Sequence, residues 1–341
     1  MTAILVTGGA GYVGAHTCKA LARAGYQPVT FDNLSTGHES FVRWGPLVQG
    51  DIRDQAAVLT AIRDHKAQAV LHFAASALVG ESVANPKKYY DNNVAGTLSL
   101  LDAMVEAECQ TLVFSSTCAI YGEPKDVPII ETTPANPVNP YGASKYMVER
   151  VLADYGPAYS LRSIALRYFN ASGADPNGEI GELRDPETHL IPRAMMAIQG
   201  HLGDFEVFGT DYDTTDGTPI RDYIHVSDLA EAHVLAVQRL LAGGAPGAFN
   251  LGTGQGYSVK QVLEAITAVT GTALEARPAP RRAGDPPVLV ADATLARAEL
   301  GFTPQSSDLK SIIETAWRWH RKAHPKQPSQ GQPEETTPVR A

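Results

Sequence analysis

Tyr141 and Lys145 stand four residues apart in the stretch Asn139-Pro-Tyr-Gly-Ala-Ser-Lys145. If that stretch is helical, one turn brings a phenol and an ammonium onto the same face. Such a pair can move a proton to and from a carbinol. A phenol titrates near 10, too high for a base at neutral pH, and an adjacent cation favours its phenolate. The spacing also arises by chance around half-buried packing tyrosines, so its meaning rests on the elements that position it.

Those elements repeat one pattern through the N-terminal half: a short apolar or β-branched run, a turn, then an amphipathic stretch. The pattern predicts βαβ units, with strands at 3–7, 28–31, 47–49, 69–73, 111–115 and 163–168. The expected fold is α/β, a Rossmann-type doubly wound parallel sheet with a smaller mixed α/β substrate lobe towards the C-terminus. Ligands of such sheets sit beyond the carboxyl ends of the strands.

The first strand runs into Thr7-Gly-Gly-Ala-Gly-Tyr-Val-Gly14 and then an apolar helical pattern that Gly25 should stop. Gly9, Gly11 and Gly14 satisfy one dinucleotide-binding spacing, and Gly8, Gly11 and Gly14 satisfy another. Either lets the backbone approach a pyrophosphate at a helix N-terminus. Asp32 ends the second strand, where a carboxylate bonds a ribose 2'-hydroxyl and repels a 2'-phosphate, so NAD is expected rather than NADP. Asp51 and Ile52 end the third strand, where adenine should lie. Phe73, Ala74 and Ala75 end the fourth, beside the cofactor. The fifth ends in Phe114-Ser-Ser-Thr117, delivering hydroxyls to the same edge, and Asn139 and Pro140 read as the cap and first residue of the Tyr141 helix.

At 341 residues, 44% hydrophobic and 19% charged, the chain has room for two lobes. No apolar run approaches membrane-spanning length, so no membrane partner is expected. A net charge of -9 argues against nucleic-acid binding, while leaving room for a local basic pocket. Cys18, Cys109 and Cys118 are too scattered for a disulfide framework, and no signal peptide is legible, which predicts a cytoplasmic protein. The acidic loop 211–217 misses calcium spacing, and His189 and His225 lack a second histidine at ligand spacing, so no metal is expected.

Longer segments make the reading specific: Val79-Gly-Glu-Ser-Val83, Tyr89-Tyr-Asp-Asn-Asn-Val-Ala-Gly-Thr97, Arg167-Tyr-Phe-Asn170, Phe208-Gly-Thr-Asp-Tyr-Asp213, Arg221-Asp-Tyr-Ile-His-Val226, Asn250-Leu-Gly-Thr253 and Arg281-Arg-Ala-Gly-Asp285. From about residue 3 to 319 the chain resembles the extended short-chain dehydrogenase/reductase superfamily, and within it the UDP-hexose 4-epimerases. The resemblance implies Tyr141 as acid/base, Lys145 as its partner, also on the nicotinamide ribose, and Thr117 as a hydroxyl donor. It implies NAD contacts at Gly8, Gly11, Tyr12, Val13, Gly14, Asp32, Asn33, Asp51, Ile52, Phe73, Ala74, Ala75, Asn92 and Phe169. Asn170, His189, Leu190, Val207, Phe208, Arg221, Arg282, Asp285 and Leu289 are implied to surround a UDP-hexose, with the two arginines on its diphosphate.

Departures from the family pattern bear on the chemistry. Nucleotide-sugar dehydratases carry an acidic pair after the catalytic threonine, and here those positions are Cys118 and Ala119. Leu289 occupies a position that is aromatic or small elsewhere, leaving UDP-N-acetylhexosamines and UDP-pentoses as alternative substrates. Ala77 replaces a lysine that some members place near the nicotinamide. A noncatalytic NAD sensor is the alternative from another class, and intact Thr117, Tyr141 and Lys145 count against it. The cofactor lobe is expected over 1–168 with segments of about 226–253 returning to it, the substrate lobe over 169–324, and a disordered tail over 325–341. The resemblance further implies a homodimer paired through helices around 91–107 and 141–155.

Overall fold

A computed structural model describes residues 1–282 and 284–325. The tail expected at 325–341 lies, from residue 326 onward, outside the described residues. Six strands open the chain: β1 (Ala3–Thr7), β2 (Gln27–Asp32), β3 (Leu47–Gln49), β4 (Ala69–His72), β5 (Thr111–Thr117) and β6 (Arg162–Tyr168). Then come β7 (Asn170–Ser172), β8 (Phe205–Phe208), β9 (Ile220–His225), β10 (Gly247–Leu251), β11 (Gly256–Ser258), β12 (Ala276–Ala279) and β13 (Val288–Leu289).

Seven strands form one parallel sheet in the order β10-β6-β5-β4-β1-β2-β3. Both faces are covered, which is why these strands read as unbroken apolar runs rather than alternations. Along β1, Ile4 and Val6 face a core shared with Leu229, Val237 and Leu240 of the Val226–Leu241 helix. Leu5 faces the other way, among Phe31, Leu100, Met104 and Phe114. The return of Val226–Leu241 and β10 thus completes a sheet begun some 240 residues earlier, its first strand opening at Ala3 and its last at Gly247.

The second lobe is built around β9, which pairs with β7, β11 and β13, while β8 and β12 form a separate parallel pair. Its core joins Met195, Phe205, Tyr223, Ile266 and Ile312. Alternation along β9 sends two adjacent charges in opposite directions. Asp222 is fully buried and accepts from the Thr253, Gly254 and Ala291 backbone and from Thr253 Oγ1. Arg221 faces the cleft between the lobes.

Candidate active site

Asn139 caps the Pro140–Tyr159 helix, its Oδ1 accepting from Gly142 N at 2.9 Å, and Pro140 occupies the first turn. A Cβ at Gly142 would lie 2.5 Å from Ala119 O, so glycine lets the helix press against the turn that follows β5. That contact brings Tyr141 and Thr117 into one cavity wall. Lys145, one turn on, is 3% exposed. Its Nζ donates to Ser115 O at 2.8 Å and lies 4.8 Å from the centroid of the Phe114 ring.

The electrostatics differ from the expectation that Lys145 lowers the Tyr141 pKa. Burial, and next the neighbouring Tyr168, push the Tyr141 phenol well above its ordinary value, and the Thr117 hydroxyl and the Arg184 charge act against that rise. Burial also pushes Lys145 down to about 7, opposed by Glu149. The downward shift arises because Lys145 trades hydration for a single carbonyl partner. Glu149 is itself anchored by the Arg167 guanidinium and by Ser116 Oγ.

The glycine loop forms a cradle. Gly8 has φ +72°, and a Cβ there would meet Ala74 N at 2.6 Å; one at Gly14 would meet Gly8 O at 2.2 Å. Gly9 instead packs against Val6 O and Thr30. At Gly11, which caps the Tyr12–Arg23 helix without a side-chain bond, a Cβ would touch only Gly8 O, at 3.3 Å. What requires smallness at Gly11 is the approach of a ligand to the helix N-terminus, as for a pyrophosphate. Asp32, 7% exposed, accepts Ala10 N and Leu34 N, one on each oxygen, with lone pairs left for a ribose diol. These residues fit NAD.

Other expected cofactor residues fall into four groups. Asn33 Nδ2 donates to Asp51 Oδ2 at 3.0 Å, and Arg53 forks onto the Asp51 carboxylate, holding its pKa well below the usual range. Asp51 lies beyond β3, which ends at Gln49, and Ile52 is buried in the sheet core. Phe73, Ala74 and Ala75 follow β4, where the Phe73 ring packs on His233. Asn92 sits in a π-helical stretch, Tyr90–Ala95, and bonds Asn93. Val13 and Phe169 line the cleft, as does Tyr12, whose hydroxyl crosses to Gly173 O at 2.6 Å.

A cavity of about 300 Å³ between the lobes is lined by Thr117, Tyr141, Asn170, His189, Leu190, Arg221 and Leu289, among others. Leu289 is the register partner of Arg221 across β13 and β9. Arg221 donates to Asp285 Oδ1 and to the Ile220 and Pro286 carbonyls, so Asp285 serves the arginine rather than lining the cavity itself. Arg282 stacks on Phe208, 4.2 Å from its ring centroid, outside the cavity wall. Val207, expected beside the substrate, has its side chain buried in the second-lobe core, because alternation along β8 turns it inward. His225 is likewise internal, its Nδ1 capping the helix that follows. The acidic loop is tied to Arg281 through Asp211 and closes on itself through Asp216 and Thr218.

Two sets of residues escaped sequence reasoning. Glu182, Arg184 and Glu187 come from a loop with no periodicity, where charges read as solvated surface. Yet Glu182 and Arg184 line the cavity, and Glu182 Oε1 accepts from Arg184 Nε and bonds His189 Nδ1. Glu182, Glu187 and His189 offer ligand atoms within 4.8 Å of one another, but the Arg184 cation already shares that space. Asn93, neighbour of the expected Asn92, donates to Ser144 Oγ and pairs with both backbone groups of Ser76.

A parallel sheet in this order, with a phosphate cradle, a ribose carboxylate and a tyrosine-lysine helix at its carboxyl edge, defines a dinucleotide-dependent enzyme acting on an alcohol or ketone. The chain belongs to the NAD dependent epimerase/dehydratase family, which its residues 4–252 match. It is 55% identical over 321 residues to a UDP-glucose 4-epimerase of Rhizobium leguminosarum bv. trifolii, covering 94% of this chain and 98% of that one. A UDP-glucose 4-epimerase from Brucella ovis, solved in complex with NAD, superposes with a TM-score of 0.91 at 57% identity, covering 93% and 98% of the two chains. A UDP-glucose-4-epimerase from Stenotrophomonas maltophila, with bound NAD and formylated UDP-arabinopyranose, gives 0.92 at 41% identity, covering 95% and 99%.

Proposed function

We propose that the chain interconverts UDP-glucose and UDP-galactose with NAD as its cofactor. The observation that carries this reading is a single cavity wall holding Thr117 and Tyr141 with Arg221, while Cys118 and Ala119 stand where a dehydratase needs carboxylates. Arg221 and Arg282 hold the diphosphate, and Asn170 and Leu289 stand beside the sugar. Tyr141 takes the proton of the 4-hydroxyl and Thr117 hydrogen-bonds the same oxygen. NAD, when bound, supplies the acceptor for the C4 hydride and returns it to the ketone.

For inversion, the 4-keto sugar turns about its link to the diphosphate and offers its other face, after which Tyr141 gives the proton back. The nucleotide end must therefore carry most of the binding energy and the hexose little, so that both orientations remain accessible. Leu289 is of intermediate size, which leaves UDP-N-acetylhexosamines and UDP-pentoses open as secondary substrates. Homodimerisation through the helices around 91–107 and 141–155 is supported by exposed Leu98 and Met147 on those helices, with Tyr90 alongside. Three buried free thiols agree with a reducing cytoplasm, and among the described residues no helix is long and apolar enough to cross a membrane.

The test is incubation of purified protein with UDP-galactose, UDP-N-acetylgalactosamine and UDP-arabinose in separate reactions, with products resolved by chromatography. The expected result is fastest turnover of UDP-galactose, falling about 10²- to 10⁴-fold in Tyr141→Phe. Release of a 4-keto-6-deoxy sugar, or an unaffected Tyr141→Phe, would refute the mechanism.

A further inference from the structure

Arg184 lies in the wall of the cavity that Tyr12, Val13, Tyr141 and Arg221 also line. Its Nε donates to Glu182 Oε1 at 2.9 Å, and among the described residues neither of its Nη nitrogens has a hydrogen-bond partner. Only 29% of the side chain is exposed, and Glu182 is 5% exposed. Most of the side chain is thus buried, while its two Nη groups, still reached by solvent, have no protein partner among the described residues. Glu182 compensates the charge through Nε, and the two Nη groups remain free to meet a further anion.

The tether also decides orientation. A guanidinium fixed at Nε by a buried carboxylate presents its two Nη groups as a rigid fork, the shape that matches two oxygens of a phosphate. On one side of the cavity, Tyr12 and Val13 begin the helix whose N-terminus receives a pyrophosphate. On the other stands Arg221. Arg184 comes from the loop between them, and that loop is held to the glycine-loop helix by Lys19, which pairs with Asp175 and Glu179. A divalent cation is disfavoured at the same place, because the guanidinium already holds the oxygen of Glu182 nearest His189.

We propose that Arg184 is a diphosphate-binding residue, closing its Nη fork on a phosphate of a nucleoside diphosphate in the cleft. The proposal rests on the epimerase reading for the presence of two such groups, one in NAD and one in the UDP-sugar. It makes this loop a clamp over the charged part of the ligand. Lysine would keep the charge and lose the fork.

The test compares wild type with Arg184→Gln by calorimetric titration of UDP and of uridine, and by NAD retained through gel filtration. The expected result is a loss of about tenfold or more in UDP affinity with uridine binding unchanged, Arg184→Lys recovering only part of it. A loss confined to NAD would assign the fork to the cofactor's pyrophosphate and equally support the proposal. It is overturned if UDP and uridine weaken together, or if both UDP and NAD bind as in wild type. Should Arg184→Gln not fold, Arg184→Lys in the same titrations decides, since UDP and NAD binding both equal to wild type would refute the fork. Wild-type protein that binds UDP but turns over no UDP-galactose would sink the epimerase reading and leave this titration interpretable.

Discussion

Asn93 Nδ2 lies 3.0 Å from Ser144 Oγ, which bonds the Tyr141 carbonyl and directly precedes Lys145 in the chain. The same Asn93 amide receives Ser76 N at 2.8 Å and donates to Ser76 O at 3.0 Å. One turn earlier, Tyr89 sets its ring edge-on to Tyr141, with centroids 6.5 Å apart, and its hydroxyl donates to Leu78 O and Glu81 Oε2. The π-helical widening at Tyr90–Ala95 follows Tyr89 and contains Asn93, so one short segment registers the loop after β4 against the catalytic helix. Asn93→Leu keeps the volume and leaves Ser76 N and Ser144 Oγ without their partner. We expect kcat to fall about 10- to 100-fold, with KM for the UDP-sugar changed less than about threefold, because the reacting groups lose alignment and the diphosphate site does not. Steady-state kinetics decide it, and a raised KM at unchanged kcat would contradict the positioning role.

Asp32 should set the choice of cofactor. Its two oxygens hold Ala10 N and Leu34 N, and burial pushes its pKa up against those two donors and the nearby His38. Asp32→Ser removes both the charge and the ribose acceptor. NAD affinity should drop about tenfold or more, and the preference for NAD over NADP should narrow by at least as much. Fluorescence titration with the two reduced dinucleotides measures the ratio, and an unchanged ratio would mean that selectivity lies elsewhere.

Local rules made the catalytic helix and the cradle readable. Asn139, Pro140, Gly25 and the glycines of the first turn act within a few residues of themselves, where capping and left-handed backbone leave marks in the sequence. Strand ends shifted by only one or two residues: β2 starts at Gln27 and β5 runs on to Thr117. What could not be read depends on partners far along the chain. Arg184 and Glu182 reach the cleft because Tyr12 and Lys19 pair with the segment around Gly173 and Asp175. The Arg221 to Asp285 pair joins residues 64 positions apart. The adjacent Arg221 and Asp222 looked alike as charges, and only their alternation on β9 separates a cleft residue from a buried scaffold carboxylate.

Leu289 should tune sugar choice. It lines the cavity as the register partner of Arg221, which puts an apolar side chain beside the proposed sugar site. Leu289→Ala opens that space without touching a polar group. The ratio of kcat/KM for UDP-N-acetylgalactosamine to that for UDP-galactose should rise about 10-fold or more, the range that apolar pocket changes produce. Parallel assays on both substrates test it, and an unaltered ratio would place the steric limit on another wall.

Lys145 should link catalysis to a pH-dependent cost in stability. In the unfolded chain its ammonium titrates near 10.4, whereas burial in the folded protein pushes it down to about 7, with Glu149 opposing. Between these values the unfolded chain holds a proton that the folded protein lacks, so stability rises with pH across the window by about 1.4 kcal/mol per pH unit. Below about pH 7 both states are protonated and the full cost of burying the charge remains. Lys145→Met removes the titration and keeps the stem, at the expense of the bond to Ser115 O. The variant should be more stable than wild type at pH 7, on the order of 2 kcal/mol after the lost hydrogen bond is counted, and its advantage should shrink as the pH is raised to 10. Activity should fall by about 10² or more, since the proton-transfer pair is broken. Urea unfolding of both proteins from pH 6 to 10 isolates this one group, because every other titration is common to the two. Parallel stability curves across that range would show that Lys145 is not the buried, depressed base described here.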